Sequence, residues 1–343
     1  MATPVIILDA MGGDYAPLHE VQGAVEAVRQ WPVRVLLVGQ QERLDPLLQQ
    51  FDGTDLPIEI IHADEIIGMD EPPLMAIRRK KQSSIVIGAR LLREGIGHAF
   101  VSAGNTGAVM AAMKFFVGTL EGVERPALAA ILPTRRGYTV LIDAGANLNV
   151  RPVHLKQFAI MGATYAEAIL GIQNPRVGLL SVGEEDIKGG TFIHATQALL
   201  RETDLNFIGN VEGKDFFSGY VDVVICDGFV GNILLKASES LAEMIGYLLK
   251  EEIMRRPIAM LGYQLMKPAM RAFKKRVDYS EYGGAPLLGI RGLAVICHGR
   301  STPKAIRNAI RVAMDFANRR LDRVIARRIE AATVETEAEQ HHG

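Results

Sequence analysis

The sequence predicts a three-layer α/β/α fold around a mostly parallel, Rossmann-like sheet. Short runs of Val, Ile and Leu alternate with longer segments of helical periodicity, which is the pattern of repeated strand–helix–strand units. The runs are apolar almost without a break, as in strands that helices cover on both faces. Many of the 34 glycines follow these runs, and glycine at that position is typical of a tight turn from strand to helix.

The apolar runs predict ten strands. In chain order they cover residues 5–9, 33–38, 58–62, 98–102, 127–132, 139–143, 177–181, 206–209, 222–226 and 293–297. The strands at 127–132 and 139–143 are too close for a crossover helix, so we expect an antiparallel hairpin around Arg135-Arg136-Gly137.

Helical periodicity predicts seven longer helices between these strands. They cover residues 20–29, 83–93, 107–116, 153–170, 191–201, 231–252 and 302–330. No repeat or flexible linker divides the chain, so we expect a single domain over residues 1–330. Residues 331–343 carry several glutamates and are predicted to form a disordered acidic tail.

Residues 253–277 depart from the strand–helix pattern. From Met254 to Arg276 the chain has seven basic residues and no acidic one, with Met and Leu interleaved. Pro257 and Pro268 predict a division into short helices. We expect a protruding amphipathic segment here rather than another strand–helix unit.

Charge and cysteine content exclude several classes of protein. The 38 Lys and Arg residues nearly balance the 39 Asp and Glu residues, which excludes a generally basic nucleic-acid-binding surface. Two cysteines cannot form a disulfide framework or a four-thiolate zinc site, so we expect a cytoplasmic protein. The first residues lack the pattern of a signal peptide, and no run of about 18 apolar residues predicts a membrane span.

Glycines and small polar residues follow six of the strands, and these turns are the candidate site. Glycine lets a ligand approach the backbone, and the free N–H groups at the start of the following helix favour an anion such as phosphate. The carboxyl ends of parallel strands share one edge of a sheet, so we expect the six turns to surround one pocket. They lie at residues 9–14, 102–107, 143–147, 181–185, 227–232 and 298–301.

The sequence lacks the standard motifs of several enzyme classes. It has no dinucleotide fingerprint, P-loop, nucleophile elbow or zinc-binding helix motif. Cys226 and Cys297 lie within apolar strands, where we expect buried, inert thiols. Asp222 begins a strand, whereas Asp227 follows its carboxyl end and remains a candidate site residue.

The motifs in these turns resemble those of the bacterial phosphate acyltransferase family, PlsX. The resemblance covers residues 5–321 in the family's order, and one of its motifs is Gly183-Glu184-Glu185-Asp186-Ile187-Lys188-Gly189. The other motifs are Asp9-Ala10-Met11-Gly12-Gly13-Asp14 and residues 102–108, 143–147, 228–236, 278–289 and 298–301.

The resemblance implies transfer of a fatty acyl group from the thioester of an acyl carrier protein to inorganic phosphate. The products are acyl phosphate and free carrier protein, for phospholipid (phosphatidic acid) biosynthesis. It also implies a fold like that of isopropylmalate dehydrogenases and phosphotransacetylases, a homodimer, and use of the product by a membrane glycerol-3-phosphate acyltransferase of the PlsY type. We expect no metal, cofactor or nucleic acid, and a cytoplasmic enzyme peripherally associated with the inner face of the cell membrane.

This reaction needs phosphate held in line with the carbonyl and donors aimed at the oxyanion, not an activated Ser or Cys. Lys188 is expected to neutralise phosphate or the oxyanion, and His298 to protonate the departing thiolate. Asp227, with Asp9 and Asp143, is expected to orient donors or accept a phosphate proton. The predicted phosphate- or substrate-binding residues are Asp9, Gly12, Gly13, Gly104, Asn105, Thr106, Gly107, Asp143, Asn147, Gly231 and Asn232.

Each of these roles has a structural alternative. Asn105 is also a good helix N-cap, a lysine beside glycines such as Lys188 is usually solvated, and a histidine after a strand such as His298 is often a packing residue.

The basic segment has three interpretations. It is a docking face for the acidic carrier protein, an amphipathic element on anionic lipid, or a dimer contact whose charges are solvated. The basic residues assigned to it are Arg255, Arg256, Lys267, Arg271, Lys274 and Lys275.

Three other functions are alternatives to this one. A metal-dependent dehydrogenase on the same fold needs carboxylate ligands at helical spacing and an adenine-binding loop, neither of which the sequence shows convincingly. A short-chain phosphotransacetylase differs in the length of its acyl substrate. A non-catalytic, membrane-tethered scaffold for lipid enzymes differs in forming no acyl phosphate.

Overall fold

The computed structural model describes residues 3–183, 190–277, 281 and 283–340. Their strands form one eleven-stranded sheet. The strands are β1 (Val5–Asp9), β2 (Arg34–Gly39), β3 (Ile58–His62), β4 (Ala99–Ser102), β5 (Ala127–Thr134), β6 (Gly137–Ile142), β7 (Val177–Leu180), β8 (Phe207–Val211), β9 (Val223–Ile225), β10 (Ala285–Leu288) and β11 (Ala294–Ile296).

Helices connect the strands and cover both faces of the sheet. Within the described ranges they are α1 (Leu18–Gln30), α2 (Gln41–Gln50), α3 (Pro73–Arg79), α4 (Ser84–Arg93), α5 (Thr106–Ala112), α6 (Pro152–Leu170), α7 (Gly190–Arg201), α8 (Gly213–Phe216), α9 (Gly228–Met254), α10 (Pro257–Val277), α11 (Pro303–Arg319) and α12 (Leu321–Gln340). A π-helical turn at Met113–Val117 continues α5.

The sheet contains two parallel groups of strands that run in opposite directions. Its order is β3-β2-β1-β4-β11-β10-β5-β6-β9-β7-β8. β10 is antiparallel to β11 and to β5, and β5 is antiparallel to β6, so β6, β9, β7 and β8 run opposite to β1 and β4. The prediction of a mostly parallel sheet is confirmed, and so is the predicted hairpin between β5 and β6.

The core lies on both faces of this sheet. Ile6 and Leu8 of β1 pack on one face with residues of α1 and α11, while Ile7 packs on the other face with residues of α4. All three side chains are fully buried, as the uninterrupted apolar run predicts for a strand covered on both sides.

β10 is the one strand that the sequence does not predict. Its four residues include Pro286 and follow Gly283 and Gly284, a composition typical of a turn. It is nevertheless the strand that joins β11 to β5. Because β10 is antiparallel to both neighbours, β5 runs in the same direction as β11, and the second half of the sheet is reversed at the antiparallel pair β5–β6. A short segment with a weak strand signal therefore links the two halves of the sheet.

Three helix predictions are wrong in detail. α10 is continuous through Pro268. A proline removes one helical hydrogen bond, and the carbonyl group freed at exposed Gln264 is open to water. The predicted helix over 302–330 is divided at Arg320, whose φ is 49°. Residues 331–340, predicted to form a disordered tail, instead continue α12.

Helices α9 and α10 pack against each other as a hairpin that carries exposed apolar side chains. Ile258, Leu261 and Leu265 of α10 are 88%, 69% and 82% exposed, and their spacing places them along one side of the helix. Across the ranges that the structure describes, no helix combines the length and apolar character needed to cross a bilayer.

Candidate anion-binding site

The six candidate turns fall into two groups at opposite edges of the sheet. The turns after β1, β4 and β11 lie at one edge, and those after β6, β7 and β9 lie at the other, because the two parallel groups of strands run in opposite directions. The expectation that all six turns share one edge is wrong, since it assumed one strand direction throughout. We call the first group the β1–β4–β11 cluster, and it contains residues 9–14, 102–107 and 298–301.

Buried Asp9 holds two turns of this cluster together. Its Oδ1 accepts a hydrogen bond from the backbone N–H of Met11 (3.1 Å), and its Oδ2 accepts one from Ser102 Oγ (2.7 Å). Ser102 Oγ in turn accepts from the N–H of Gly104 (3.0 Å). Burial raises the pKa of Asp9, and these hydrogen bonds oppose the rise. The carboxyl group thus orients the backbone of both turns, which is one of the two roles predicted for it.

Glycine is required where these turns touch each other. A β-carbon on Gly12 would overlap Asp9 Oδ2 and lie 2.7 Å from the backbone nitrogen of Gly104. Gly13 has a φ of 123°, which favours glycine, and Gly299 packs against the side chains of Met69 and Asp14. The N–H of Asp14 also donates to the carbonyl oxygen of Gly299 (2.8 Å). The three turns are therefore in direct contact.

Asn105 is the N-cap of α5 and the anchor of a neighbouring loop. Its Oδ1 accepts from the N–H of Ala108 (3.1 Å). Its Nδ2 donates to the carbonyl oxygens of Gly68, Met69 and Glu71 at 3.0–3.2 Å. The Asn105 side chain is thus engaged within the protein, as the N-cap interpretation predicts. The N–H groups of Thr106 and Gly107, in the first turn of α5, have no acceptor within the helix and face the end that attracts anions.

His298 follows β11 beside these turns. Its Nδ1 accepts a hydrogen bond from the backbone N–H of Arg300 (3.2 Å), so the neutral ring carries its proton on Nε2. Glu239 of α9 interacts electrostatically with His298, with Lys236 one turn earlier and with Arg300. Burial raises the pKa of Glu239. α9 therefore brings charged side chains from the second half of the sheet to the β1–β4–β11 cluster.

The second group of turns is tightly packed around Asp143. Its two carboxylate oxygens accept from the N–H groups of Leu128, Gly145, Ala146 and Asn147 and from Asn147 Nδ2, at 2.7–3.1 Å. Burial raises the pKa of Asp143, and these bonds oppose the rise. Gly231 packs directly on the backbone of Asp143, and Asn232 lies against Gly145. Asp143 and Asn147 are thus held in a closely packed network of hydrogen bonds within the protein.

Asp227 is the N-cap of α9, where Oδ1 accepts from the N–H groups of Phe229 (2.8 Å) and Val230 (3.0 Å). Lys188 lies outside the described residues.

Within the described ranges, no three His, Cys, Asp or Glu side chains are grouped so that they could hold a metal ion. Burial raises the pKa of the Cys226 and Cys297 thiols, so neither is a thiolate near neutral pH.

Three features of the site are not predicted from the sequence: Glu20, Glu239 and the loop at residues 66–72. Glu20 is 1% exposed and lies beneath Gly13, and its Oε2 has no hydrogen-bond partner among the described residues. Burial raises its pKa from 4.5 to about 8, and the nearby charge of Asp9 adds to the rise. The only local signal for the loop is the basic run Arg78-Arg79-Lys80-Lys81 that follows it.

Glu20→Gln is expected to remove a pH dependence of stability. In the folded protein Glu20 stays protonated up to about pH 8, whereas in the unfolded chain it ionises near pH 4.5. The unfolded state therefore binds fewer protons between these values, and the free energy of unfolding falls as pH rises, by up to about 1.4 kcal/mol per pH unit. Urea unfolding at pH 5, 6, 7 and 8 measures this slope, which the variant should lose; equal slopes in both proteins would contradict the assignment.

The basic residues of the hairpin are partly neutralised. Arg255 pairs with Glu251 and Glu252, and Arg256 pairs with Glu252 at 3.2 Å. These acidic residues belong to the last turns of α9, just before the segment that lacks acidic residues. Lys267 and Arg271 are exposed, while the side chains of Lys274 and Lys275 lie outside the described part of the structure.

Comparison with known proteins identifies close relatives over nearly the whole chain. The family model described as "Fatty acid synthesis protein" matches residues 5–323. A phosphate acyltransferase from Syntrophotalea carbinolica is 53% identical over 323 residues, covering 94% of this chain and 93% of the relative. A phosphate acyltransferase from Pelotomaculum thermopropionicum is 50% identical over 329 residues, covering 96% of each.

Solved structures share the fold at low identity. A phosphotransacetylase from Streptococcus pyogenes superposes with a TM-score of 0.63 at 15% identity, over 92% of this chain and 94% of the other. A branched-chain phosphotransacylase from Enterococcus faecalis gives a TM-score of 0.58 at 13% identity, over 92% and 99%. The predicted α/β/α fold is thereby confirmed.

Proposed function

The chain belongs to the phosphate acyltransferase family and is an acyltransferase of lipid synthesis, and from that premise we propose that it moves a fatty acyl group from an acyl carrier protein to inorganic phosphate. The observation that carries this proposal is the meeting of three glycine-rich turns at the start of α5, where Asp9 and Ser102 orient the backbone. A helix start framed by glycines suits phosphate, because N–H groups and the helix dipole both favour an anion there.

The reaction balances without a covalent enzyme intermediate. An oxygen of hydrogen phosphate attacks the thioester carbonyl, the carbon–sulfur bond breaks, and the phosphate proton ends on the thiol of the carrier. The products are acyl phosphate and free carrier protein. Phosphate is already charged near pH 7 and a thiol has a pKa of about 8.5, so the protein has only to position the reactants and stabilise the oxyanion.

His298 is suited to assist the transfer of this proton. Its Nε2–H is the donor end of the ring, because Nδ1 accepts from Arg300. This N–H can hydrogen-bond to the leaving sulfur and stabilise the developing thiolate, which takes the phosphate proton while the ring stays neutral. Lys236 is a cation one turn before Glu239 on α9, and Lys188 is retained as a proposed second cation for phosphate or the oxyanion.

Acyl phosphate formation by the purified protein tests the proposal. The protein is incubated with phosphate and palmitoyl carrier protein, and the product is trapped with hydroxylamine as the hydroxamate. We expect product that depends on both substrates. Product from acetyl thioesters alone would instead support a short-chain phosphotransacetylase, and no product from any thioester would support a scaffold.

The product also has a place in a reaction sequence. Acyl phosphate is a reactive mixed anhydride, so we propose that a membrane glycerol-3-phosphate acyltransferase of the PlsY type consumes it on the way to phosphatidic acid. A product that is both reactive and amphiphilic is best released close to the membrane that holds its acceptor.

Peripheral membrane association is therefore proposed for the α9–α10 hairpin. Ile258, Leu261 and Leu265 form its most exposed apolar stripe, and Lys267 and Arg271 are exposed nearby. This combination fits an element that lies on anionic lipid. The same stripe fits a contact with a second copy in the proposed homodimer, because an exposed apolar stripe gains from burial in either setting.

Ile258→Ser/Leu261→Ser/Leu265→Ser is expected to abolish binding to phosphatidylglycerol vesicles, measured by flotation. Each apolar side chain contributes about 1.5–3 kcal/mol when it is buried in lipid. Ile96→Ser is the control, since Ile96 is also 50% exposed but lies outside the hairpin. Unchanged flotation together with a shift from dimer to monomer in sedimentation would assign the stripe to the dimer contact instead.

A further inference from the structure

Helix α3 and the loop before it form a cationic, partly apolar surface at the edge of the candidate site. Asn105 fixes the loop through three carbonyl groups, and Gly107 at the start of α5 packs against Pro73 at the start of α3. Met69 from the loop reaches Gly299, next to His298. The surface therefore borders the place where the thioester must meet phosphate.

Three cations on this surface have no ion pair in the described part of the chain: Arg78, Arg79 and Lys81, all exposed. Lys80 differs, because it is bound to Glu71 (2.6 Å) and to the carbonyl oxygen of Ile66 (2.7 Å). We call the following set the α3 surface: Met69, Leu74, Met75, Arg78, Arg79 and Lys81. Its apolar members are 45–52% exposed, and Asp70 is an exposed acidic residue beside them.

Distance favours the α3 surface over the tip of the hairpin as a docking site for the thioester donor. Arg79 is six residues from Pro73, or about 9 Å along the helix. Arg255 at the hairpin tip is sixteen residues beyond Glu239, the residue that faces His298, or about 24 Å. Arg255 and Arg256 are also already paired with glutamates. Of these two surfaces, α3 thus carries unpaired positive charge closer to the site.

We propose that the α3 surface docks the acidic carrier protein that delivers the acyl thioester. The proposal rests on the proposed function. Unpaired arginines and a lysine attract an acidic partner and raise the rate of encounter, while Met and Leu side chains adapt to its surface. Docking here brings the thioester beside the β1–β4–β11 cluster, because Asn105 holds the loop before α3 against the start of α5.

The test compares two thioesters in Arg78→Glu/Arg79→Glu. One is palmitoyl carrier protein, and the other is the same acyl group on uncharged N-acetylcysteamine. We expect kcat/KM for the carrier thioester to fall about 10- to 100-fold and to lose much of its salt dependence, because charge steers the encounter. The rate with the N-acetylcysteamine thioester should not change. Arg323→Glu/Arg327→Glu, which reverses two exposed arginines on α12, is the matched control and should behave as the wild type.

Four outcomes overturn the proposal. Equal losses with both thioesters would show that these arginines act on phosphate or on the reacting atoms. Unchanged kinetics with the carrier thioester would show that the α3 surface does not dock the carrier protein. A loss confined to Lys267→Glu/Arg271→Glu on α10 would move docking to the hairpin, and a loss of vesicle binding in the α3 variant with normal carrier kinetics would assign the surface to lipid. Wild-type protein that makes no acyl phosphate from either thioester would instead contradict the proposed function itself.

Discussion

Gly12→Ala is expected to reduce acyl phosphate formation about 100-fold or more. The added methyl group meets Asp9 Oδ2 and the backbone nitrogen of Gly104, and neither has room to move, because Asp9 is fully buried and Gly104 is bonded to Ser102. The turn after β1 must therefore shift, and a displacement of about 1 Å in a catalytic site costs on the order of 100-fold in rate. Overpacking should also lower the free energy of unfolding by about 1–3 kcal/mol.

Steady-state rates with varied phosphate, together with urea unfolding, measure both effects. Gly246→Ala is the matched control: Gly246 lies within α9, has nothing within 4 Å of an added β-carbon, and gains helix propensity on substitution. A Gly12→Ala protein that is less stable but saturates with phosphate and turns over normally would show that this turn supports the fold and not the reaction.

His298→Gln is expected to lower kcat about 100-fold with a normal alkyl thioester. Loss of a positioned proton donor usually costs a factor of about 10² to 10⁴. The loss should shrink with a thiophenol ester, whose thiolate leaves without protonation. This dependence on the leaving group separates a proton donor from a packing residue, which would lower stability and affect both esters alike.

His194→Gln, which changes an exposed histidine on α7, controls for the substitution itself. A variant with wild-type kcat for the alkyl thioester would show that His298 takes no part in the reaction.

The sequence predicts strands and helices well where they are long and regular. β1 and β3 have the predicted bounds, because short β-branched runs bounded by turn residues give an unambiguous pattern. The sequence does not predict β10, because this strand is short, contains Pro286 and follows glycines. That omission does not change which turns share an edge, because β10 is antiparallel to both of its neighbours. The reversal of β6, β9, β7 and β8 comes instead from the predicted hairpin between β5 and β6.

The site is predicted only in part. Turns 9–14, 102–107 and 298–301 meet as expected, because their strands are parallel neighbours. The hydrogen bonds from Asn105 to residues 68–71 join positions more than thirty residues apart. Contacts this distant produce no periodic pattern from which the sequence could predict them. The burial of Glu20 beneath Gly13 likewise depends on how α1 packs, which local pattern does not specify.

The structure of crystals soaked in phosphate tests most directly whether the β1–β4–β11 cluster holds the phosphate substrate. We expect an ordered phosphate within hydrogen-bond distance of the N–H groups of Thr106 and Gly107, against the Gly12–Gly13 turn, at concentrations that saturate the reaction. An ordered phosphate at the start of α9 beside Asn147 and Asn232, with none at the start of α5, would contradict this assignment.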